Sequence, residues 1–368
     1  MGLLRPAVRD GANRGLFTSD DLERVEIFFR ARPELRPTPL RPLPALAMRL
    51  GVGELLVKDE SDRFGTSAFK SVGVRYAVDR LLESSRDRPA TVLACATAGN
   101  HGRAVARVAR DRRLDARVYV PGQTAAAVRR AIAAEGATVV IVDGTYEDAV
   151  RRVADEAERE GWTIVSDTSW PGYEEIPRWI MAGYTHILEE AAREWGPAPP
   201  DVVLVQGGVG GLVCAAVSWL AHRFGAGRPF VAACEPLHAA CLLESARRGS
   251  PTRVEGRLDT MMSGLRCAQV SPAAFPAILS LADAYVAIDD GYASEAMRLL
   301  ARPEPGDVPI VAGASGACGL GALVALLSEA ALAEIRDAAR LDARSRVFVI
   351  NTEGANDPEL YEVLTREG

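Results

Sequence analysis

The stretch TVLACATAGNHGRAVARVARDRRLDARVYVP, residues 91–121, contains a strand, a helix and a second strand. TVLACAT is short, apolar and uncharged, which reads as a strand buried on both faces. GNHGRAVARVARDRR sets small apolar residues between arginines at helical spacing, and DARVYVP returns to β-branched and aromatic residues. The pattern continues to residue 167, with TAAAVRRAIAAEG as helix, TVVIVDG as strand, YEDAVRRVADEAEREG as helix and WTIVSD as strand. Strands alternating with helices of about 10–15 residues form βαβ units in a parallel sheet. Ligands of such sheets bind at the carboxyl ends of the strands. Thr97–Gly102 and Asp167–Tyr173 are therefore candidate site loops.

A helix over residues 176–195 leads into a second region of the same kind. DVVLVQGG reads as strand, GGLVCAAVSWLAHRFG as helix and PFVAACEP as strand. VPIVAGASG, the ACGLGALVALLSEA helix and RVFVINTEG then repeat the pattern. Before the first region, ELLVKDES (54–61) predicts a strand and a polar turn, and residues 68–84 a helix. The first 40 residues, with prolines at 33, 37 and 39, read as a covering arm. The expected architecture is α/β, with two doubly wound domains and the site between them. Residues 1–84 with 190–368 form the large domain, and 85–189 the small one.

Composition removes several classes of function. Lysine and arginine total 43 against 49 acidic residues, a net charge of −6, so nucleic acid and anionic membrane are not expected partners. Six scattered cysteines, none in a C-x-x-C pair, predict reduced thiols in the cytoplasm. Four histidines without H-E-x-x-H spacing predict no zinc site. No apolar run reaches about 18 residues, so no membrane span is expected. The amino-terminal residues lack the apolar core of a secretory signal, and Pro6 stands where a myristoylation signal needs Ser or Thr.

The chain contains two lysines, Lys58 and Lys70, beside 41 arginines. Arginine replaces lysine in most surface work, but only an amine that can lose its proton forms a Schiff base. Lys58 lies between acidic neighbours in VKDES, and an ion pair with Asp59 or Glu60 accounts for it. Lys70 follows Ala68 and Phe69 in FGTSAFKSVG, an apolar setting in which an amine pKa is expected to fall. VVLVQGGVGGLVCAAV (202–217) runs from a buried strand through glycines into a helix, a setting in which backbone amides hold a phosphate. It is not a nicotinamide fingerprint, because G-x-G-x-x-G begun at Gly208 ends on Val213, and no G-K-[ST] follows. TAGNHG (97–102) offers amides to a substrate carboxylate and Asn100 as a neutral donor, while NTEG (351–354) ends a strand at Thr352.

Together these pieces resemble the fold-type II pyridoxal-phosphate enzymes, the group of tryptophan synthase β and threonine dehydratase. They are most similar to the diaminopropionate ammonia-lyases. The resemblance rests on PTPLRPLPALAMRLGVGELLVKDESDRFGTSAFKSVG, DTSWPGYEEIPRWIMAGY, DTMMSGLRC, SGACGLG and NTEG, between residues 37 and 354. It implies the tryptophan-synthase-β-like architecture, pyridoxal 5′-phosphate held by the large domain, a small amino-acid substrate and a homodimer. Lys70 would carry the cofactor as a Schiff base, with Phe69 beside it, and move the α-proton. Asn100 would bond the phenolic oxygen. Gly207, Gly208, Val209, Gly210 and Gly211 would cradle the phosphate, and Thr352 would meet the pyridine nitrogen. Asp167 would serve as acid and base, with Thr97, Ala98, Gly99, His101 and Ser315 about the substrate.

Two positions depart from the ammonia-lyase pattern. Ala98 replaces the aspartate of T-D-G-N-H-G, the group that serves the D-isomer of diaminopropionate, and Ala314 replaces the glutamate of S-G-E-S-G-A. The expected function is β-elimination from a small L-amino acid through an aminoacrylate, with L-2,3-diaminopropionate giving pyruvate and ammonia. A β-replacement synthase of a specialised pathway is the second reading, motivated by the two missing acids. A threonine/serine dehydratase fits Ala98 but not the DTSWPGYEEIP block. A non-catalytic ligand-binding relative and a nicotinamide dehydrogenase come last, the first opposed by Lys70, Asn100 and Thr352 and the second by the broken fingerprint.

Overall fold

A computed structural model of the chain describes residues 1–5, 7, 12–84, 91–97 and 99–366. Among these, eleven strands form two sheets. The strands are β1 (Gly2–Leu4), β2 (Leu40–Pro42), β3 (Glu54–Asp59), β4 (Val92–Ala96), β5 (Asp115–Pro121) and β6 (Thr138–Val142). They continue with β7 (Thr163–Ile164), β8 (Val202–Gln206), β9 (Phe230–Pro236), β10 (Ala284–Ile288) and β11 (Arg346–Asn351). The smaller sheet has the order β6-β5-β4-β7 and is parallel throughout. The larger has the order β1-β10-β9-β8-β11-β3-β2, parallel except for its two edge strands.

The apolar runs become the central strands because helices cover both faces. All five residues of β8 and of β10 are buried. One core cluster lies under the helices Lys70–Ser84, Glu175–Glu194 and Gly211–Phe224, and a second on the other face of the larger sheet under Asp290–Ala301 and Cys318–Ser328. The helices Lys70–Ser84 and Glu175–Glu194 cross closely through two glycines. A Cβ on Gly73 would sit 2.4 Å from the Ile180 carbonyl oxygen, and one on Gly183 would sit 2.8 Å from the Gly73 Cα. Any larger residue would push the lysine-bearing helix off the core.

Three expectations need correction. The first 40 residues are more than an arm. β1 pairs antiparallel with β10, and the helix Ser19–Arg30 starts at a capping box made by Thr18 and Asp21. VPIVAG is not a strand. Its backbone is satisfied outside the sheet, with Ile310 N–H donating to the carbonyl of Leu300 in the helix Asp290–Ala301 at 2.8 Å and Gly313 N–H to that of Glu353 at 3.0 Å. The edge-side place in the sheet belongs to β10, from ADAYVAI.

Lys58, third, does not pair with Asp59 or Glu60. Its ammonium is fully buried and donates to Glu190 Oε2 at 2.7 Å and to the Thr38 carbonyl at 2.6 Å. Arg63 completes this buried cluster by reaching both Glu60 and Glu190. Glu190 stands 132 residues away on the helix Glu175–Glu194, so local charge could not reveal it.

Candidate active site

The loops at the carboxyl ends of β3, β4, β8 and β11 converge on Lys70. Lys70 opens its helix after a tight turn in which Phe64 and Ser67 take left-handed backbone angles, φ 53° and 55°. Non-glycine residues adopt these only when surroundings impose them. Here Arg107 donates to the Phe64 carbonyl at 3.0 Å and Arg103 to Ser67 Oγ at 3.1 Å. Both arginines come from the helix Asn100–Asp111, so the lysine turn is held by the helix that begins at Asn100.

The Lys70 ammonium donates to Asp167 Oδ2 at 2.6 Å and lies 5.1 Å from the centre of the Phe69 ring and 5.7 Å from that of Tyr184. Burial alone would pull the Lys70 pKa down, but the Asp167 carboxylate overrides it and holds the ammonium above the ordinary lysine value. The expected fall is thereby corrected, because the apolar neighbours in sequence conceal a carboxylate 97 residues away. Asp167 shows the mirror effect. Burial would raise its pKa, and Lys70 with His101 nearby keeps it well below the carboxylate range.

Asp167 is itself held in place. The Tyr173 hydroxyl accepts from Ser166 N–H at 2.8 Å and donates to the Ile164 carbonyl at 2.9 Å, closing the loop around the aspartate. Ser169 meets Ser271 twice, through its N–H at 3.0 Å and its hydroxyl at 2.9 Å, and both residues are buried. Ser271 N–H donates in turn to the Val209 carbonyl at 2.9 Å. The aspartate loop is therefore tied across the cleft to the glycine loop.

That glycine loop runs from β8 into the helix Gly211–Phe224. Gly210 has φ 91°, and a Cβ there would sit 2.7 Å from Ile278 Cδ1, so only glycine makes this entry to the helix. A Cβ on Gly207 would fall 2.6 Å from Glu235 Cγ. Glu235 is buried beneath the loop and accepts from Leu242 and Leu243 N–H at 2.8 and 2.9 Å, and burial pushes its pKa up to about 8. Among the described residues the amides of Gly208 and Gly211 have no protein acceptor. They stand at a helix amino terminus, where both their donors and the helix dipole favour an anion. A Cβ on Gly211 would lie 3.6 Å from the Tyr184 ring, so Tyr184 spans the distance from this loop to Lys70.

The remaining expected residues divide. Thr352 is buried, and its carbonyl accepts from Phe69 N–H at 3.1 Å, which brings it against the lysine turn. Ser315 Oγ accepts from Gly264 N–H at 3.0 Å. Gly99 N–H donates to Thr97 Oγ1 at 3.1 Å, in the loop that leads into Asn100. His101 turns inward: its Nε2 meets the Val165 carbonyl at 2.8 Å and its Nδ1 lies 3.8 Å from Asp167 Oδ2, with burial pulling its pKa down. Ala98 lies outside the described residues, and Ala314 is buried.

Two groups escaped the sequence reading. Glu353 is buried beside Thr352, and its carboxylate accepts from Asn100 Nδ2, from Asn356 Nδ2 at 3.2 Å and from Ser315 N–H at 3.1 Å. Tyr184, the last residue of the DTSWPGYEEIPRWIMAGY block, is the second aromatic ring against Lys70. An acid inside NTEG was visible as a residue type, but its partners were not.

The donor set suits a phosphorylated aldehyde: one amine, free amides at a helix terminus, and an amide side chain held opposite. Comparison with known proteins agrees. Residues 31–353 match the family of pyridoxal-phosphate dependent enzymes. The diaminopropionate ammonia-lyase of Salmonella typhimurium is 35% identical, over 97% of this chain and 95% of that one. The crystal structure of the Escherichia coli diaminopropionate ammonia-lyase in complex with D-serine superposes with a TM-score of 0.91 at 32% identity, covering 100% of this chain and 97% of that one. The same enzyme in complex with an aminoacrylate-PLP azomethine reaction intermediate gives 0.89 at 33% identity, covering 100% and 98%. The chain belongs to the pyridoxal-phosphate dependent enzyme family and groups there with the diaminopropionate ammonia-lyases.

Proposed function

We propose that this chain is a lyase that eliminates the β-substituent of a small L-amino acid. Its first substrate is L-2,3-diaminopropionate and its products are pyruvate and ammonia. The observation that carries this reading is the partly buried Lys70–Asp167 pair, 2.6 Å apart, in a cleft that also presents the free amides of the glycine loop. When bound, pyridoxal phosphate supplies an aldehyde that condenses with amines and an electron sink that acidifies the substrate α-carbon.

The residues of this chain do the rest. The loop of Gly207, Gly208, Val209, Gly210 and Gly211 would hold the phosphate through the free amides of Gly208 and Gly211, and Asn100 would donate to the phenolic oxygen. Thr352 offers a neutral hydroxyl to the pyridine nitrogen, which suits prompt elimination rather than prolonged storage of negative charge in the ring. Thr97, Gly99 and Ser315 seat the substrate, and His101 backs Asp167. Lys70 Nζ takes the α-proton. Asp167 is a weak base while the ammonium is beside it. Once Lys70 is uncharged, burial pushes the Asp167 pKa upward and the carboxyl can hold the proton that the leaving amine needs. Ala98 stands where the acid serving the D-isomer is lost, which supports L- over D-isomer preference, and the loss of a second acid at Ala314 bears on the leaving group or substrate tail.

Three further elements belong to the same proposal. The small domain comprises residues 85–189, supported by the four strands of the smaller sheet falling between residues 92 and 164. The cytoplasmic setting is supported by six free cysteines, and the homodimer by family likeness. Among the described residues no single helix is long and apolar enough to cross a membrane.

Pyruvate release tests the reading. The purified enzyme should release pyruvate steadily from L-2,3-diaminopropionate and much more slowly from the D-isomer, L-serine and L-threonine. No pyruvate from an enzyme with a normal cofactor spectrum would defeat the ammonia-lyase assignment. A new β-substituted amino acid formed in its place would establish the replacement reaction.

A further inference from the structure

The Asn100 side chain makes two hydrogen bonds, one through its nitrogen and one through its oxygen, and together they fix its direction. A primary amide has two N–H donors on Nδ2 and an acceptor oxygen, and nothing in its shape prevents it from turning over. Here Nδ2 donates to Glu353 Oε2, and Oδ1 accepts from Asn356 Nδ2 at 2.9 Å. Glu353 is buried, and Asn100, Asn356 and the Ser315 amide all donate to it, so it acts only as an acceptor. Asn356 Nδ2 reaches both Glu353 and Asn100 Oδ1, so it acts only as a donor. Turning the Asn100 amide over would set oxygen against carboxylate and N–H against N–H. Among the described residues its second N–H has no acceptor.

We propose that Glu353 and Asn356 are positioning residues that make Asn100 an obligate donor toward the phenolic oxygen of pyridoxal phosphate. The proposal rests on the cofactor placement given above. It explains why an acid is buried directly after the residue assigned to the pyridine nitrogen. A fixed donor favours the cofactor tautomer with a negatively charged oxygen, which absorbs in the visible. A free amide lets the proton return to oxygen, and absorption then moves to the near ultraviolet.

The test uses the holoenzyme and reads its spectrum and cofactor affinity as well as its activity. In Glu353→Leu the ratio of visible to near-ultraviolet absorbance should fall severalfold, and the dissociation constant for pyridoxal phosphate should rise about tenfold, the scale of one hydrogen bond. Glu353→Gln keeps an acceptor for Asn100 and should retain more than half of the ratio. Asn356→Ala, at a partly exposed site, should shift the ratio in the same direction as Glu353→Leu. A Glu353→Leu enzyme with the parent ratio and dissociation constant, whatever its melting temperature, overturns the proposal. If that variant does not fold, an unchanged ratio in Asn356→Ala does so. Lys70→Ala separates the two levels: a visible imine band surviving there sinks the cofactor placement itself, whereas its loss beside an unmoved Glu353→Leu spectrum sinks only this inference.

Discussion

Replacing Asp167 with asparagine isolates the interaction that sets the charge on Lys70. The two groups are 2.6 Å apart, with side-chain exposures of 19% and 17%. At an effective dielectric constant of about 20, that separation corresponds to about 6 kcal/mol of attraction, and desolvation of both groups opposes it. Removing one partner of a buried pair typically costs about 3–5 kcal/mol. That is equivalent to about 2–4 pK units on the lysine. The sign follows from the opposing influences. Asp167 raises the Lys70 pKa and burial lowers it, so in Asp167→Asn burial acts without its counterweight. The amine then becomes neutral at lower pH. The assay follows imine formation between cofactor-free protein and pyridoxal phosphate by visible absorbance across pH. In the parent the rate should still be rising at about pH 10, near the ordinary lysine value. In the variant it should level off about 2–4 units lower. Superimposable profiles would refute the argument that Asp167 governs the amine.

Three further outcomes follow from other parts of the molecule. Lys58→Met leaves Glu190 without its ammonium partner and should lower stability by about 3 kcal/mol in urea unfolding, with the cofactor spectrum unchanged. Ser271→Ala removes both contacts to Ser169 and should cost about 1–3 kcal/mol. If the serine pair holds the aspartate loop, kcat for pyruvate release falls while the dissociation constant for pyridoxal phosphate changes little, and an unchanged kcat would count against that role. Glu235 has a folded-state pKa raised to about 8 by burial, so its contribution to stability is present in acid and is lost as pH rises through that value. Urea midpoints measured at pH 6 and pH 9 should therefore differ less in Glu235→Gln than in the parent.

Much of this architecture was legible before the fold was known, for a local reason. Each βαβ unit between residues 91 and 167 writes its own alternation, because a strand buried on both faces must be apolar and its covering helix must be amphipathic. The glycines at 207, 208, 210 and 211 were legible for the same reason, since close approach and left-handed backbone demand them where they stand. What escaped depends on distant partners. β10 is as apolar as β8, but it lies between two helices with no glycine loop to mark it. VPIVAG looks like a strand, yet its backbone meets a helix carbonyl at Leu300 and the Asn351 side chain rather than a neighbouring strand's backbone. Lys58 and Lys70 were each assigned surroundings from adjacent residues, and both actual partners, Glu190 and Asp167, come from other elements. Nothing beside Glu353 in NTEG marks its role, because only folding brings Asn100 to it across 253 residues of chain.

The burial of Lys58 bears on stoichiometry. Its amine is fully enclosed and bonded to Glu190 and Thr38, so it cannot meet an aldehyde without local unfolding. Arginine, which supplies every other long cationic side chain, does not form imines under ordinary conditions. One ε-amine per chain thus remains for carbonyl chemistry, at Lys70. Excess pyridoxal phosphate, or any other cellular aldehyde, finds no second side-chain amine to occupy, and a reductive trap should mark one side chain of each folded chain, that of Lys70.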